Sequence, residues 1–135
     1  MLFTKASEYA LLSLILISQK PEATDALSIA NELGISKSFL AKILQNLARA
    51  KILHSYKGAN GGFTLAVAPE ELSVLRIIES AEKRRASVFD CSADASACPG
   101  QKAPICQIWP MFTGFQAQVD DMLESIKLSD IIKAS

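Results

Sequence analysis

Apolar residues recur along this chain at several spacings, and each spacing predicts a different element. From Thr4 to Gln19 they dominate almost continuously and stop ahead of Pro21, which predicts a first helix used for packing. Asp25 can cap a short second helix whose inward positions are Ala26, Ile29, Ala30 and Leu33, and Gly34 stands where that helix would end. Ser36 offers the next cap. Beyond it Leu40, Ile43, Leu44 and Leu47 return at helical spacing on one side of a third helix. Its other side is polar, with Lys37, Ser38, Lys42, Gln45 and Arg49, and with Phe39 and Ala41 near its leading end.

The period then changes. Ile52 to Lys57 alternates as a strand does, Gly58-Ala59-Asn60-Gly61-Gly62 reads as a turn, and strand character resumes from Phe63 to Val67. Three glycines and an asparagine in five positions suit positive φ and close approach of the backbone to a neighbouring surface. After Pro69 a fourth helix, capped by Ser73 and carrying Val74, Ile77, Ile78 and Ala81, leads into the charged stretch from Glu82 to Arg85. Ala86 to Ile105 is rich in Ala, Ser, Pro and Gly and predicts an irregular loop.

Near the end Ile108, Phe112, Phe115, Val119, Met122 and Ile126 are separated by alternating steps of four and three residues, a heptad seam on one long helix. Pro110 is tolerated there because it falls in the first turn. With Trp109, Met111 and Leu123 beside it, the stripe holds more apolar surface than a small domain uses for itself. Self-association as a homodimer is the expected use.

A helix, a short turn containing Gly34, a second helix presenting cations and hydroxyls, and then a glycine-rich hairpin together match a winged helix-turn-helix. The fold class expected is therefore mainly α with a small β-hairpin wing, plus a long C-terminal dimerisation helix. Residues 1–84 would form the DNA-binding domain, 85–106 a cysteine-bearing sensor loop, and 107–135 the dimerisation helix and C-terminal segment. Ser36, Lys37, Ser38, Phe39 and Lys42 are expected in the major groove of double-stranded operator DNA. Tyr56, Lys57 and Asn60 at the wing are expected on the adjacent backbone or minor groove. Cations would set affinity and register, and polar groups at base edges would set specificity.

Charge strengthens this picture only once it is resolved along the chain. The formal net charge is zero, yet from Gly34 to Val67 there are five cations (Lys37, Lys42, Arg49, Lys51, Lys57) and no Asp or Glu. From Ala68 onward there are seven cations and ten acids. A concentrated basic segment is the footprint expected where phosphates are met. At 135 residues the chain suits one compact domain with a short appended element. The apolar stretch from Ala10 to Ile17 is well short of the roughly 20 residues that span a bilayer. Glu8 stands at its mouth and no clear cleavage pattern follows, so no membrane association is expected and the location expected is cytoplasmic. No Ser-His-Asp set, phosphate loop or paired acid motif is present, and the sole histidine, His54, has no evident catalytic partner. An enzyme is not expected. His54, at the start of the wing strand, reads as a structural or backbone-facing polar group.

Cys91, Cys98 and Cys106 are the only cysteines and fall in one short region. An odd number of them speaks against a disulfide framework, whereas thiolates gathered by a loop are natural ligands for a soft metal centre such as an iron-sulfur cluster. A thiol redox switch and chemically inert cysteines are the alternatives. Three ligands leave one position open, which an acid such as Glu8 or Asp90, or an external small molecule, could complete.

Taken in order, a set of short motifs resembles one family, the Rrf2-type winged helix-turn-helix transcription regulators. The motifs are Leu2-Phe3-Thr4-Lys5 with Glu8-Tyr9-Ala10, Ile29-Ala30 before Gly34-Ile35-Ser36 with Phe39-Leu40, and Ser55-Tyr56-Lys57-Gly58 with Gly61-Gly62-Phe63. Pro69-Glu70-Glu71-Leu72, the three cysteines and Leu128-Ser129-Asp130-Ile131 complete the set, which covers nearly the whole chain. The resemblance implies a homodimeric DNA-binding regulator, a repressor, and in many members a two-iron or four-iron cluster on three loop cysteines whose state tunes operator affinity. In a nitric oxide-sensing branch, an acidic residue of the first helix, supplied by the partner subunit, is a further ligand. The matching position is Glu8, for which a solvated helix residue is the plainer alternative. Another branch places a histidine three residues after the third cysteine, where this chain has Trp109, so that ligand set is not expected. Phe39, Ala41 and Lys57 stand where members often have Tyr, an acid and Arg, which implies a different operator. A cluster-free regulator controlled by thiol oxidation or a partner, and an iron-sulfur or interaction protein that keeps the scaffold without reading DNA, are the alternative functions.

Overall fold

The computed structural model describes residues 4–59, 61–84 and 109–134. Six α-helices and one two-stranded hairpin follow one another among these: α1 (Lys5–Ser18), α2 (Ala26–Leu33), α3 (Lys37–Arg49), β1 (Leu53–Tyr56), β2 (Gly62–Leu65), α4 (Val74–Glu82), α5 (Trp109–Ser125) and α6 (Leu128–Ala134), with a 3-10 turn at Pro69–Glu71. The fold is mainly helical with a small antiparallel wing, as its hydrophobic spacing predicts.

Local chemistry accounts for most helix boundaries. Thr4, Asp25, Ser36 and Ser73 each turn a side-chain oxygen onto a backbone N–H in the first turn of the helix they precede, satisfying a donor the helix leaves open. Gly34 ends α2 at φ 69°, a left-handed conformation that glycine adopts without a Cβ penalty. α3 ends differently. Lys51 takes that conformation at φ 65°, its N–H donating to Ala48 and the Ile52 N–H donating to Leu47. The two crossed bonds close the helix as a Schellman motif does, with lysine in the position glycine favours.

One core joins α1, α2, α3 and the hairpin through Leu14, Ile29, Leu40, Leu44, Leu47 and Ile52, with Leu72, Ile77 and Leu128 joining from the later elements. β1 and β2 pair from Leu53 opposite Leu65 to Tyr56 opposite Gly62. The hairpin is anchored sideways as well: Thr24, in the α1–α2 connection, exchanges backbone hydrogen bonds with Phe63 at 2.9 and 3.1 Å. This approach requires a glycine at position 62. Its φ is 145°, and a Cβ there would lie 2.6 Å from the Thr24 backbone.

α5 begins at Trp109, so Pro110 does sit in the first turn. The helix packs on its own chain through Leu123, which meets Val74 and Ile78, and half-buried Val119 and Ile126 flank that contact. Phe115 and Met122 of the heptad seam remain about half exposed, at 45% and 50% of their surface, and Met111 beside them at 49%. The seam therefore divides between a face used within the chain and a face left open. Ile108 lies outside the described residues. Beyond α5 the chain turns back as α6, an element its short periodicity had not announced, and Leu128 enters the main core. The Leu128 N–H donates to Leu72 and the Val74 N–H to Ile126, at 2.8 and 2.9 Å.

Candidate nucleic-acid interface

α3 presents its apolar side inward so completely that Leu40, Ile43, Leu44 and Leu47 are all at most 3% exposed. Ser36, Lys37, Ser38, Phe39 and Lys42 are exposed on the opposite side. Their roles separate on inspection. The Ser36 hydroxyl accepts from the Phe39 N–H at 3.3 Å and lies 2.9 Å from the Ser38 hydroxyl, so it is committed to the helix start. Phe39 meets Tyr9 of α1 edge-on, with ring centroids 5.9 Å apart at 85°, which fixes one flank of the helix start against α1. Lys37 and Lys42 present their ammonium groups on the exposed side, and the Ser38 hydroxyl is exposed there too while sharing a hydrogen bond with Ser36.

The wing reaches the same surface. Lys37 from the start of α3, Leu27 from α2, and Tyr56, Gly58 and Gly62 from the hairpin line one open cleft of about 340 Å³. Tyr56 and Lys57 are exposed at the end of β1, and Gly58 turns the chain at φ 101°. His54 is exposed rather than backbone-facing; it pairs opposite Thr64 and its ring lies 6.4 Å from that of Tyr56, on the outer face of the strand. Asn60 lies outside the described residues.

Cys91, Cys98 and Cys106, the expected metal ligands, also lie outside the described residues. Glu8 is half-exposed on the first turn of α1 and forms an ion pair with Lys5 at 3.2 Å, which holds the Lys5 ammonium above its ordinary pKa. Among the described residues no group of three His, Cys, Asp or Glu side chains is placed to hold a metal. Charge reading alone missed Glu82. Its carboxylate, 11% exposed, accepts from the hydroxyls of Thr4 and Ser7, the latter at 2.8 Å, and Arg84 stands 3.7 Å away. The end of α4 is thereby tied to the first turn of α1. Arg76 of α4 likewise donates to the Ala50 carbonyl at 3.1 Å, covering the end of α3. Neither partner is marked in the sequence, because both contacts join residues brought together only by the packing of separate helices.

Comparison with known proteins decides the family. The Rrf2 model, described as iron-dependent transcriptional regulator, matches residues 3–134. The chain belongs to the Rrf2 family. This Rrf2 chain is 28% identical over 134 residues to the transcriptional regulator NsrR of Bacillus licheniformis, an alignment covering 98% of it and 92% of that relative. It is 27% identical over 108 residues to the regulator IscR of Aliivibrio salmonicida, covering 77% of its own length and 60% of the relative's. Its fold superposes on CymR, the global cysteine regulator of B. subtilis, with a TM-score of 0.74 over 98% of this chain and 97% of that one, at 22% identity. It also superposes on the oxidized form of Staphylococcus aureus CymR, with a TM-score of 0.68 and 27% identity, covering 96% and 94%. These relatives are regulators of transcription rather than enzymes. No helix among the described residues is long and apolar enough to cross a membrane.

Proposed function

We propose that this Rrf2 protein is a cytoplasmic, homodimeric repressor that reads operator DNA with the start of α3 and the wing, and whose affinity is set by the state of Cys91, Cys98 and Cys106. The observation that carries the DNA-reading part is the shared cleft, which brings Lys37 of α3 and Tyr56 and Gly58 of the wing to one open surface. In this reading Lys37, Ser38 and Lys42 enter the major groove, with Ser36 and Phe39 holding the helix start in place. Tyr56, Lys57 and Asn60 meet the neighbouring backbone. A second copy, joined along the open face of α5, would place a second reading head one or more helical turns away. Lys42→Ala should weaken binding to all sequences alike and reduce the slope of affinity against salt by about 0.9, the share of one phosphate. An unchanged slope in a fluorescence anisotropy titration would remove Lys42 from the phosphate contacts.

Three thiolates in one stretch are a donor set suited to an iron-sulfur centre, and Glu8, exposed at the first turn of α1, is accessible to a partner subunit as a further oxygen donor. Such a centre would supply a redox- and nitric oxide-sensitive charge. The residues' part is to hold it, and to pass its presence through α1 to α3 by the Tyr9–Phe39 contact. Protein isolated without oxygen should carry iron and a visible charge-transfer spectrum, both lost in Cys98→Ser. Colourless, iron-free protein that still binds DNA would favour the second reading, thiol oxidation without a cluster, for which the likeness to oxidized CymR speaks. Mild peroxide should then leave a reversible modification on the cysteines.

A further inference from the structure

The stretch from Gly34 to Val67 contains no acid, but the fold carries acids against it from outside: Glu22 and Glu32 line a cleft with Ala59 and Gly61, and Asp25 lines both that cleft and the one that holds Lys37. Asp25 precedes α2, accepts from the Ser28 N–H at 3.0 Å, and lines the cleft shared by Lys37, Tyr56, Gly58 and Gly62. It is the one acidic side chain among the described residues of that lining, and it is exposed. Hydrogen bonding from Ser28, and to a lesser extent the Lys37 ammonium, holds its carboxyl below the usual carboxylate range, so it is ionised at neutral pH.

Capping alone does not call for that charge. α1, α3 and α4 are capped by Thr4, Ser36 and Ser73, all neutral hydroxyls, and serine or asparagine caps a helix about as well as aspartate. The start of a helix is a place that favours a phosphate, since backbone N–H groups and the helix dipole point there. At α2 a carboxylate occupies that place, beside a lysine and at the mouth of the wing.

We infer that Asp25 is a specificity-determining residue: its charge keeps DNA phosphate out of the cleft between α3 and the wing and offsets Lys37, lowering affinity for arbitrary duplex more than for a sequence α3 can read. Non-specific binding is almost wholly electrostatic, so a like charge weakens it in full, while base contacts maintain binding to the preferred site. Repulsion of the wrong partner is half of discrimination. The inference rests on the DNA-reading function proposed above.

Asp25→Asn and Asp25→Ser keep a cap and remove the charge, and both can be titrated in the full-length protein. The probes are a random-sequence duplex and a duplex enriched from the same random pool by the wild-type protein, each followed by anisotropy across a salt series. Both variants are expected to bind the random duplex about three- to tenfold more tightly, with a salt slope steeper by about 0.9, while the enriched duplex gains less and melting is unchanged. Unaltered affinity for random DNA, or equal gains on both duplexes, would overturn the specificity role. So would a loss confined to the enriched duplex, which would make Asp25 a reader of bases. Wild-type protein that binds neither duplex at low salt would overturn the DNA-reading function and this inference together, whereas failure of the variants alone leaves that function standing.

Discussion

α3 and α5 are both amphipathic, yet they complete their apolar faces in different ways. α3 buries Leu40, Ile43, Leu44 and Leu47 within its own chain and leaves a polar face outward. α5 buries Leu123 and the Gln116 side chain, which donates to Asp120 at 2.7 Å, while Phe115, Met122 and Met111 remain open. A helix whose aliphatic stripe is spent internally, with only Phe39 of its large apolar residues left exposed, can be read for what its polar face does. One with apolar surface to spare is read for what would cover it. In the function proposed above, the same periodic signal marks a reading surface in one place and an assembly surface in the other.

Four substitutions would break or sharpen that contrast. Leu44→Ala removes a wholly buried side chain from the shared core and is expected to destabilise the chain by about 3 kcal/mol in urea unfolding, read at fixed protein concentration because association adds to apparent stability. Met122→Glu is expected to leave far-ultraviolet circular dichroism unaltered while raising the dimer dissociation constant about a hundredfold, some 2.7 kcal/mol, in sedimentation velocity. A variant that sediments as the parent does would place the dimer contact elsewhere. Ser36→Ala should cost about 1 kcal/mol of stability through loss of the cap, and Ser38→Ala less than half of that. Equal losses would mean that the two hydroxyls share the capping role.

Much of this architecture was legible in the sequence because short-range rules produce it. The caps at Asp25, Ser36 and Ser73, the glycine closing α2, the inward leucines of α3 and the glycine-rich wing turn all follow from residues within a few positions of one another. The strands run Leu53–Tyr56 and Gly62–Leu65, shorter at the outer ends than alternation suggested, because Ile52 already serves the core and its carbonyl accepts from Ala66. What was not legible depends on distant partners. The Thr24–Phe63 bridge, the Glu82 tie to Thr4 and Ser7, and the return of α6 into the core leave no local periodicity. The basic surface was legible as a run of cations; Asp25 beside it was not, since an acid twelve residues ahead of Lys37, the first of those cations, meets them only after folding.

The joint at the start of α4 has a mechanical meaning. Two backbone hydrogen bonds, Leu128 to Leu72 and Val74 to Ile126, together with the Leu128 side chain in the core, weld the end of the long helix to the proposed reading head. No compliant linker intervenes there. In a dimer built on α5, any pivot of one long helix against its mate would swing the two heads as rigid arms. A few degrees at the crossing would become ångströms at the DNA, enough to move both heads out of step with the groove while neither changes its internal shape.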